Sequence, residues 1–328
     1  MFWRSVLVLR CLARLCRLSP PRSGRVAVVV GVLAILAVGA CAHKPPGFDP
    51  RVRPTCLVLS VGGPDGVAHL GALAATRETN FPLAAVVGNS FGAVVGALYA
   101  QAPEENTRDR FESLLKAYVR ETERDARRRG LAAGLLFGAT AAILSEGEAL
   151  PTLIAGGGGY LLGAATIDRL DHQRLVRVME RSFASARIEA LALPFVTFHQ
   201  RPRGEGLELV AVRSGSLAEA VGASVTNPLL FPGVRVEKGA KLDPGADRVA
   251  AVPVEDACRL FPEMNLLAIN VTGNPAFHSA AMTCPVLEVH IAPPGLSPEE
   301  VLATGPAYFR AIDSGYQATI GALSAARP

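Results

Sequence analysis

Ser90 lies at the centre of a Gly-Asn-Ser-Phe-Gly pentapeptide, with Gly88 and Gly92 at its two ends. Glycines in these places let a chain turn tightly from a strand into a helix and lift the serine hydroxyl out of the sheet, an arrangement called a nucleophile elbow. The apolar residues 83–87 predict the strand before the turn, and the small residues 93–100 predict the helix after it. Ser90 is therefore a candidate nucleophile, and a glycine-rich turn with a capping serine is the alternative.

Gly62 and Gly63 could supply a second part of such a site. A serine that attacks a carbonyl carbon needs hydrogen-bond donors aimed at the oxygen that becomes negatively charged. The glycine pair follows the apolar residues 56–61, and Gly63 precedes Ser90 by 27 residues. Because neighbouring parallel strands end at the same edge of a sheet, we expect the two turns to lie side by side. The backbone N–H groups of the glycine pair would then form an oxyanion hole.

The elements that must position these residues alternate along the chain as short apolar runs and longer helical patterns. This alternation is typical of an α/β domain with a largely parallel sheet. The predicted strands cover residues 56–61, 83–87, 193–199, 207–212, 265–271 and 286–291. The predicted helices cover residues 67–77, 93–100, 106–129, 169–182 and 217–222, with a pair of helices over 298–326.

The two glycine-containing turns and the helices after them resemble the patatin-like phospholipases. In that family a glycine-rich strand end precedes a helix that begins with an Ala-His pair, and Gly-x-Ser-x-Gly precedes a helix of small residues. Residues 67–73 and 92–100 match the two helices, and the similarity extends over about residues 56–271. The resemblance implies a three-layer α/β/α domain over residues 56–328 with a mostly parallel central sheet. It also implies a serine acyl hydrolase that acts on phospholipids, lysophospholipids or related acyl esters without a cofactor.

The resemblance further implies a Ser-Asp dyad without a histidine, and Asp243 is the best match to the dyad aspartate. Residues 217–224, 228–234 and 252–254 match the surroundings of that aspartate in the family. Pro244 stands where the family has a glycine, and Asp247 is the rival candidate. A third possibility is that neither residue is the base. A carboxylate in this role must lie within hydrogen-bond reach of the serine.

The oxyanion loop departs from the family pattern at three positions. Val61 replaces a glycine, Asp65 replaces a basic residue, and Pro64 has no N–H to donate. An acidic residue reverses the charge near a developing oxyanion or a phosphate. The alternative function is therefore a catalytically impaired member of the family, which would act in lipid binding or in envelope interactions.

A Ser-His-Asp triad is a further alternative, and it needs a histidine near Ser90. His290, at the end of a predicted strand, is the best candidate among the histidines of the body, and His172, His199 and His278 are the others. The glycine pair and the surroundings of Asp243 argue against this alternative. We expect His69 to be a packed residue and not a base.

The first 40 residues have the order of a signal peptide. They contain six arginines and no acidic residue, and residues 26–40 are uncharged and too few to span a bilayer. Residues 38–40 precede Cys41 as in a bacterial lipobox, which predicts lipidation of Cys41; an uncleaved anchor is the alternative. The proline-rich residues 41–55 read as a tether. These features predict a protein of the bacterial cell envelope, held by its lipid on the outer membrane and facing the periplasm.

The composition and motifs of the chain limit the partners and cofactors that can be expected. Beyond the predicted signal peptide the chain has two more acidic than basic residues, which argues against nucleic acid as a partner. Motifs for metals and nucleotides are absent from the sequence.

Cys258 and Cys284 could form a disulfide, but separate buried thiols are the favoured interpretation, as for Cys56. Residues 131–165 form an apolar, glycine-rich insertion, read either as a membrane-facing flap or as a buried helix.

Overall fold

The computed structural model of the protein describes residues 47–144, 171–203, 206–227, 241–244 and 248–326. The predicted signal peptide, Cys41, residues 145–165 of the insertion and Asp247 lie outside these ranges. Within them, no helix has both the length and the apolar character that a membrane span requires.

Six strands form one sheet, and all six were predicted from the sequence. Their bounds are β1 Thr55–Leu59, β2 Ala85–Gly88, β3 Phe195–Arg203, β4 Gly206–Val212, β5 Asn265–Asn270 and β6 Val286–His290. The strand order is β4-β3-β2-β1-β5-β6. All neighbours are parallel except β3 and β4, which form an antiparallel pair at one edge. Leu59 is in register with Gly88, so β1 and β2 end side by side.

Helices cover both faces of this sheet. They are α1 Ala68–Glu78, α2 Phe91–Gln101, α3 Thr107–Leu144, α4 His172–Ser182, α5 Leu217–Ser224, α6 Arg248–Ala251, α7 Val254–Leu260, α8 Pro298–Ala303 and α9 Pro306–Ala326. Successive strand residues point to opposite faces. Leu57 and Leu59 pack into the larger core with α1 to α5, α8 and α9, whereas Cys56 and Val58 pack into a smaller core with α7. The fold is the three-layer α/β/α arrangement with a mostly parallel sheet that the family resemblance implies.

Helix α3 is longer than predicted. We expected it to end at Arg129, before Gly130, but it continues without a break to Leu144. Gly130, Gly134 and Gly138 lie inside this helix, and each costs about 1 kcal/mol relative to alanine. The alanines and leucines of residues 131–144 are good helix formers, so the helix continues despite this cost. The first part of the apolar insertion is therefore a continuation of α3.

The packed chain begins before the predicted boundary at residue 56. Phe48, which we assigned to the tether, is fully buried, and its ring stacks on that of Phe81 at 6.4 Å between centroids. The side-chain amide of Asn265 donates hydrogen bonds to the carbonyl oxygens of Asp49 and Arg53. Residues 47–54 thus lie against the domain, because an aromatic side chain and two carbonyl groups find partners there.

The cysteines correct a prediction. Cys258 on α7 and Cys284 before β6 form a disulfide, with their Cα atoms 5.6 Å apart, whereas separate thiols were favoured. The sequence interpretation failed because α7 was not predicted, and this helix brings Cys258 beside the chain that enters β6. Cys56 is a free, buried thiol, and burial raises its pKa.

Candidate active site

Ser90 forms the turn between β2 and α2, as the pentapeptide predicts. Its backbone has φ 52° and ψ −124°, an unusual conformation for a residue with a side chain, and strain of this kind clusters at functional sites. The positions two residues before and two residues after Ser90 must be glycine, because neighbouring backbone atoms come too close to leave room for a side chain. A Cβ atom on Gly92 would lie 2.5 Å from the carbonyl oxygen of Ser60, and one on Gly88 would lie 2.5 Å from that of Gly92. The nucleophile elbow is therefore present.

Two contacts hold Ser90 in this turn. Its backbone N–H donates to the hydroxyl oxygen of Ser224, at the end of α5, at 2.9 Å. Its carbonyl oxygen accepts the N–H of Ala93 at 2.9 Å, which begins the hydrogen bonding of α2. Ser90 is 4% exposed. The sequence placed Ser224 in a family motif but gave no sign of this contact, because the two serines are 134 residues apart.

Gly62 and Gly63 lie three and four residues beyond the end of β1 and line one cavity together with Ser90. Gly63 has φ +49°, in the left-handed region that favours glycine, and it starts a 3-10 turn over Gly63–Val67. A Cβ atom on Gly62 would lie 2.5 Å from a methyl carbon of Val271. In the described part of the chain, no acceptor pairs with the N–H group of either glycine. Two backbone donors are thus available beside Ser90.

The substituted residues of this loop have structural roles. The carboxylate of Asp65 accepts the backbone N–H of Leu296 at 2.7 Å, which joins the loop to the chain before α8. The N–H of Val61 donates to the carbonyl oxygen of Ala251 at 2.8 Å. The departures from the family pattern therefore leave an ordered glycine loop.

Asp243 reaches the site from a segment beside β3. Leu242 and Gln200 exchange two backbone hydrogen bonds of 2.8 Å, and the N–H of Asp243 donates to the carbonyl oxygen of Thr226 at 2.9 Å. Asp243 is 8% exposed. Asp243 lines the same cavity as Ser90, Gly62 and Gly63, so the structure brings the predicted site residues together. The rival Asp247 lies outside the described residues.

Helix α6 accepts hydrogen bonds from both the elbow and the glycine loop. The side-chain amide of Asn89 donates to the carbonyl oxygen of Ala250, and the next carbonyl, that of Ala251, accepts from Val61. The elbow and the glycine loop are both fixed to the short helix that follows the Asp243 segment. Sequence reasoning missed this role of Asn89, since α6 was not predicted.

Two cavities meet at Ser90. The polar cavity has a volume of about 360 Å³ and lies over the glycine loop. The apolar cavity has a volume of about 140 Å³ and lies between α2, α3, α4 and α8. Ser90 and Gly63 line both cavities. An ester whose carbonyl carbon is at Ser90 could therefore place an apolar part on one side and a polar part on the other.

Among the described residues that line these two cavities there is no histidine. His290 is exposed, lies 3.4 Å from the carboxylate of Glu288, and is at the end of β6, three strand spacings or about 14 Å from β2. His69 is fully buried, and burial lowers its pKa to about 4. The geometry thus favours a carboxylate partner for Ser90 over a triad with His290.

The sequence matches short segments of much longer relatives. The chain is 47% identical over 49 residues to a patatin-like phospholipase domain-containing protein of Caenorhabditis elegans, a segment that is 15% of this chain and 4% of that protein. It is 48% identical over 74 residues to the lysophospholipase NTE1 of Mycosarcoma maydis, which is 21% of this chain and 4% of that protein. The chain thus matches a small fraction of each relative's length.

Solved structures with a similar chain course include two bacterial proteins. VipD from Legionella pneumophila is 14% identical, with a TM-score of 0.37, over 83% of this chain and 67% of VipD. The effector ExoU, from the type III secretion system of Pseudomonas aeruginosa, is 15% identical, with a TM-score of 0.41, over 86% of this chain and 53% of ExoU.

The sequence profile of one family covers much more of the chain. The profile described as patatin-like phospholipase matches residues 57–257, well over half of the 328 residues. The match includes the glycine loop, the elbow and Asp243. The chain belongs to the patatin-like phospholipase family.

Proposed function

We propose that this protein is a serine hydrolase of lipid acyl esters, with Ser90 as nucleophile, Asp243 as its base and the N–H groups of Gly62 and Gly63 as oxyanion donors. The observation that carries the proposal is the convergence of these four residues, from separate parts of the chain, on one cavity. Family membership and the lysophospholipase name of a relative support a lipid ester as substrate.

In the first half of the proposed reaction, the hydroxyl oxygen of Ser90 attacks the ester carbonyl carbon while its proton passes to the carboxylate of Asp243. The carbonyl oxygen becomes negative and accepts hydrogen bonds from Gly62 and Gly63, which stabilise the tetrahedral intermediate. The intermediate collapses, and the alcohol leaves with the proton that Asp243 held. An acyl group is then bonded to Ser90.

In the second half, water attacks the acyl carbon and gives a proton to Asp243. The second tetrahedral intermediate uses the same two backbone donors. Its collapse breaks the bond to Ser90, which recovers its proton from Asp243, and a carboxylic acid is released. The cycle consumes one ester and one water and yields one alcohol and one acid.

Hydrolysis of a p-nitrophenyl ester by the purified full chain tests this proposal. We expect Ser90→Ala to lower kcat/KM by at least about a thousandfold, because loss of a nucleophile removes the covalent route. Ser113→Ala is a matched control. Ser113 is exposed on α3, and its hydroxyl donates a hydrogen bond to the carbonyl oxygen of Asp109 on the same helix. Equal hydrolysis by the wild type and Ser90→Ala would reject the assignment of Ser90.

We also propose that a lipid on Cys41 anchors the protein to the outer membrane, facing the periplasm. The apolar residues 26–40 and the small residues before Cys41 support this proposal, and the disulfide between Cys258 and Cys284 is typical of an oxidising compartment. Metabolic labelling with a palmitate analogue in a bacterial host tests it. The wild type should take up label and Cys41→Ala should not; label on both would contradict lipidation at Cys41.

The alternative of an impaired, lipid-binding family member is favoured by one observation, the acidic Asp65 in the oxyanion loop. It predicts a folded wild type that binds lipid without Ser90-dependent turnover. The same hydrolysis assay, together with vesicle co-sedimentation, separates the two functions.

A further inference from the structure

The apolar cavity beside Ser90 lies between helices α2, α3, α4 and α8 and is partly open to solvent. Val94 of α2, Phe111 and Leu114 of α3 and Val301 of α8 form its walls, and each is at most 6% exposed. The lining side chains among the described residues are apolar apart from Ser90 and Tyr118. The Tyr118 hydroxyl is engaged elsewhere, since it accepts the N–H of Asp171 at 2.8 Å. A polar group placed deep in this cavity would lose its hydrogen bonds to water.

The walls are held by their own packing. Phe111 and Leu114 belong to a stripe of α3 that also packs into the main core, and the ring of Phe111 lies 5.3 Å from that of Phe91. Val301 is fixed from the opposite side, because the chain before α8 is bonded to Asp65. Close-packed interiors resist expansion. The volume of the cavity is therefore a constraint on what it can hold.

The volume is small for a membrane lipid. The cavity measures about 140 Å³, and an engineered apolar cavity of about 150 Å³ holds one benzene molecule, which has six carbons. We infer that this cavity receives the acyl group of the ester and that it accommodates an acyl chain of about six carbons. This inference rests on the proposed function and narrows it: the preferred substrates are esters of short to medium fatty acids.

Filling the cavity sets the expected dependence on chain length. Each methylene that is transferred from water to an apolar site contributes about 0.8 kcal/mol, which is about fourfold in kcat/KM. The gain should continue until the cavity is full. A longer chain must then leave its end in water, which ends the gain, or expand the walls, which costs free energy, so kcat/KM should stop rising and then fall.

The test is kcat/KM of the full chain for p-nitrophenyl esters with acyl chains of 2 to 16 carbons. We expect a rise of about fourfold per methylene up to about six carbons and a decline from about ten carbons. A rise that continues to 16 carbons would overturn the inference and leave the proposed function standing. Absence of Ser90-dependent hydrolysis at every length would instead reject the proposed function, and the inference with it.

The low solubility of long esters could also produce an optimum in chain length. Two substitutions at one wall position distinguish this effect from cavity size, because they change the cavity and leave the esters the same. Val301→Ala enlarges the cavity and should move the optimum to chains about two carbons longer, whereas Val301→Phe fills it and should move the optimum to about four carbons or fewer. Glu299→Ala, an exposed change on the same helix, is the control and should keep the wild-type optimum. Thermal melting verifies that each variant is folded. Unchanged optima in both folded Val301 variants would show that acyl groups do not occupy this cavity.

Discussion

Asn89, the residue before Ser90, is completely buried, and its side-chain amide donates to the carbonyl oxygen of Ala250. This contact joins the elbow to helix α6, directly after the segment that carries Asp243. The hydrogen bond spans 161 residues of sequence. Asn89 is thus a positioning residue, which acts through the placement of its neighbours.

We expect Asn89→Ala to lower the free energy of unfolding by about 1–3 kcal/mol, because a buried carbonyl group loses its partner. The loosened α6 should also lower kcat about tenfold with a smaller change in KM, since small misplacements slow a positioned reaction. Denaturant titration and steady-state kinetics give the two values. Gln317→Ala, an exposed amide on α9, is the control. A wild-type kcat in Asn89→Ala would contradict the positioning role.

Asp65 gives the polar cavity a negative charge beside that of Asp243, and none of the described residues that line this cavity is Lys or Arg. Asp65→Asn removes this charge and keeps an oxygen that can accept the Leu296 N–H. The substitution should raise kcat/KM for an ester with an anionic leaving group by about fivefold relative to a neutral one. A charge repulsion of about 1 kcal/mol between the Asp65 carboxylate and the leaving group corresponds to about fivefold in kcat/KM.

The measurement is the ratio of kcat/KM for the two esters at low ionic strength, where charge effects are largest. Added salt should shrink the difference between Asp65→Asn and the wild type. An unchanged or lower ratio in the variant would mean that the charge of Asp65 does not act on the substrate.

At the scale of elements, all six strands could be predicted, because each contains a short apolar run. Strand β3 continues through polar residues to Arg203, past its predicted end at residue 199. Helix α3 could be placed but not bounded, since Gly130 looks like a stop and is tolerated inside the helix. The short helices α6 and α7 carry too few turns for a periodic pattern. Their omission explains why the partner of Asn89 and the Cys258–Cys284 disulfide were not predicted.

The disulfide fastens α7 to the chain that enters β6 across 26 residues of sequence. Closing a loop of this size restricts the unfolded chain and should stabilise the fold by about 3 kcal/mol. We therefore expect dithiothreitol to lower Tm of the wild type by several degrees. A Cys258→Ser, Cys284→Ser double variant should melt at the lower temperature with or without the reductant. A wild-type Tm that is unchanged after reduction of the disulfide would contradict this expectation.

At the scale of the molecule, the site lies where parallel strands end, at one edge of a three-layer fold. The positions of Gly62, Gly63 and Ser90 could be predicted because each is a local turn and β1 and β2 are neighbours. Asp243 could be identified as a site residue only through the family resemblance. Its segment is positioned by long-range contacts with β3 and Thr226, which no local pattern indicates. The two cavities that meet at Ser90 form where segments distant in sequence pack together, which no local pattern encodes.

The most direct test of the central claim is labelling of the purified full chain with a fluorophosphonate probe, followed by mass spectrometry of the labelled peptide. An activated serine should take up one equivalent of probe at Ser90. Ser90→Ala should take up none, Ser113→Ala should label as the wild type does, and Asp243→Asn should label about a hundredfold to ten-thousandfold more slowly. A folded wild type that takes up no probe, or takes it up at another residue, would contradict the account.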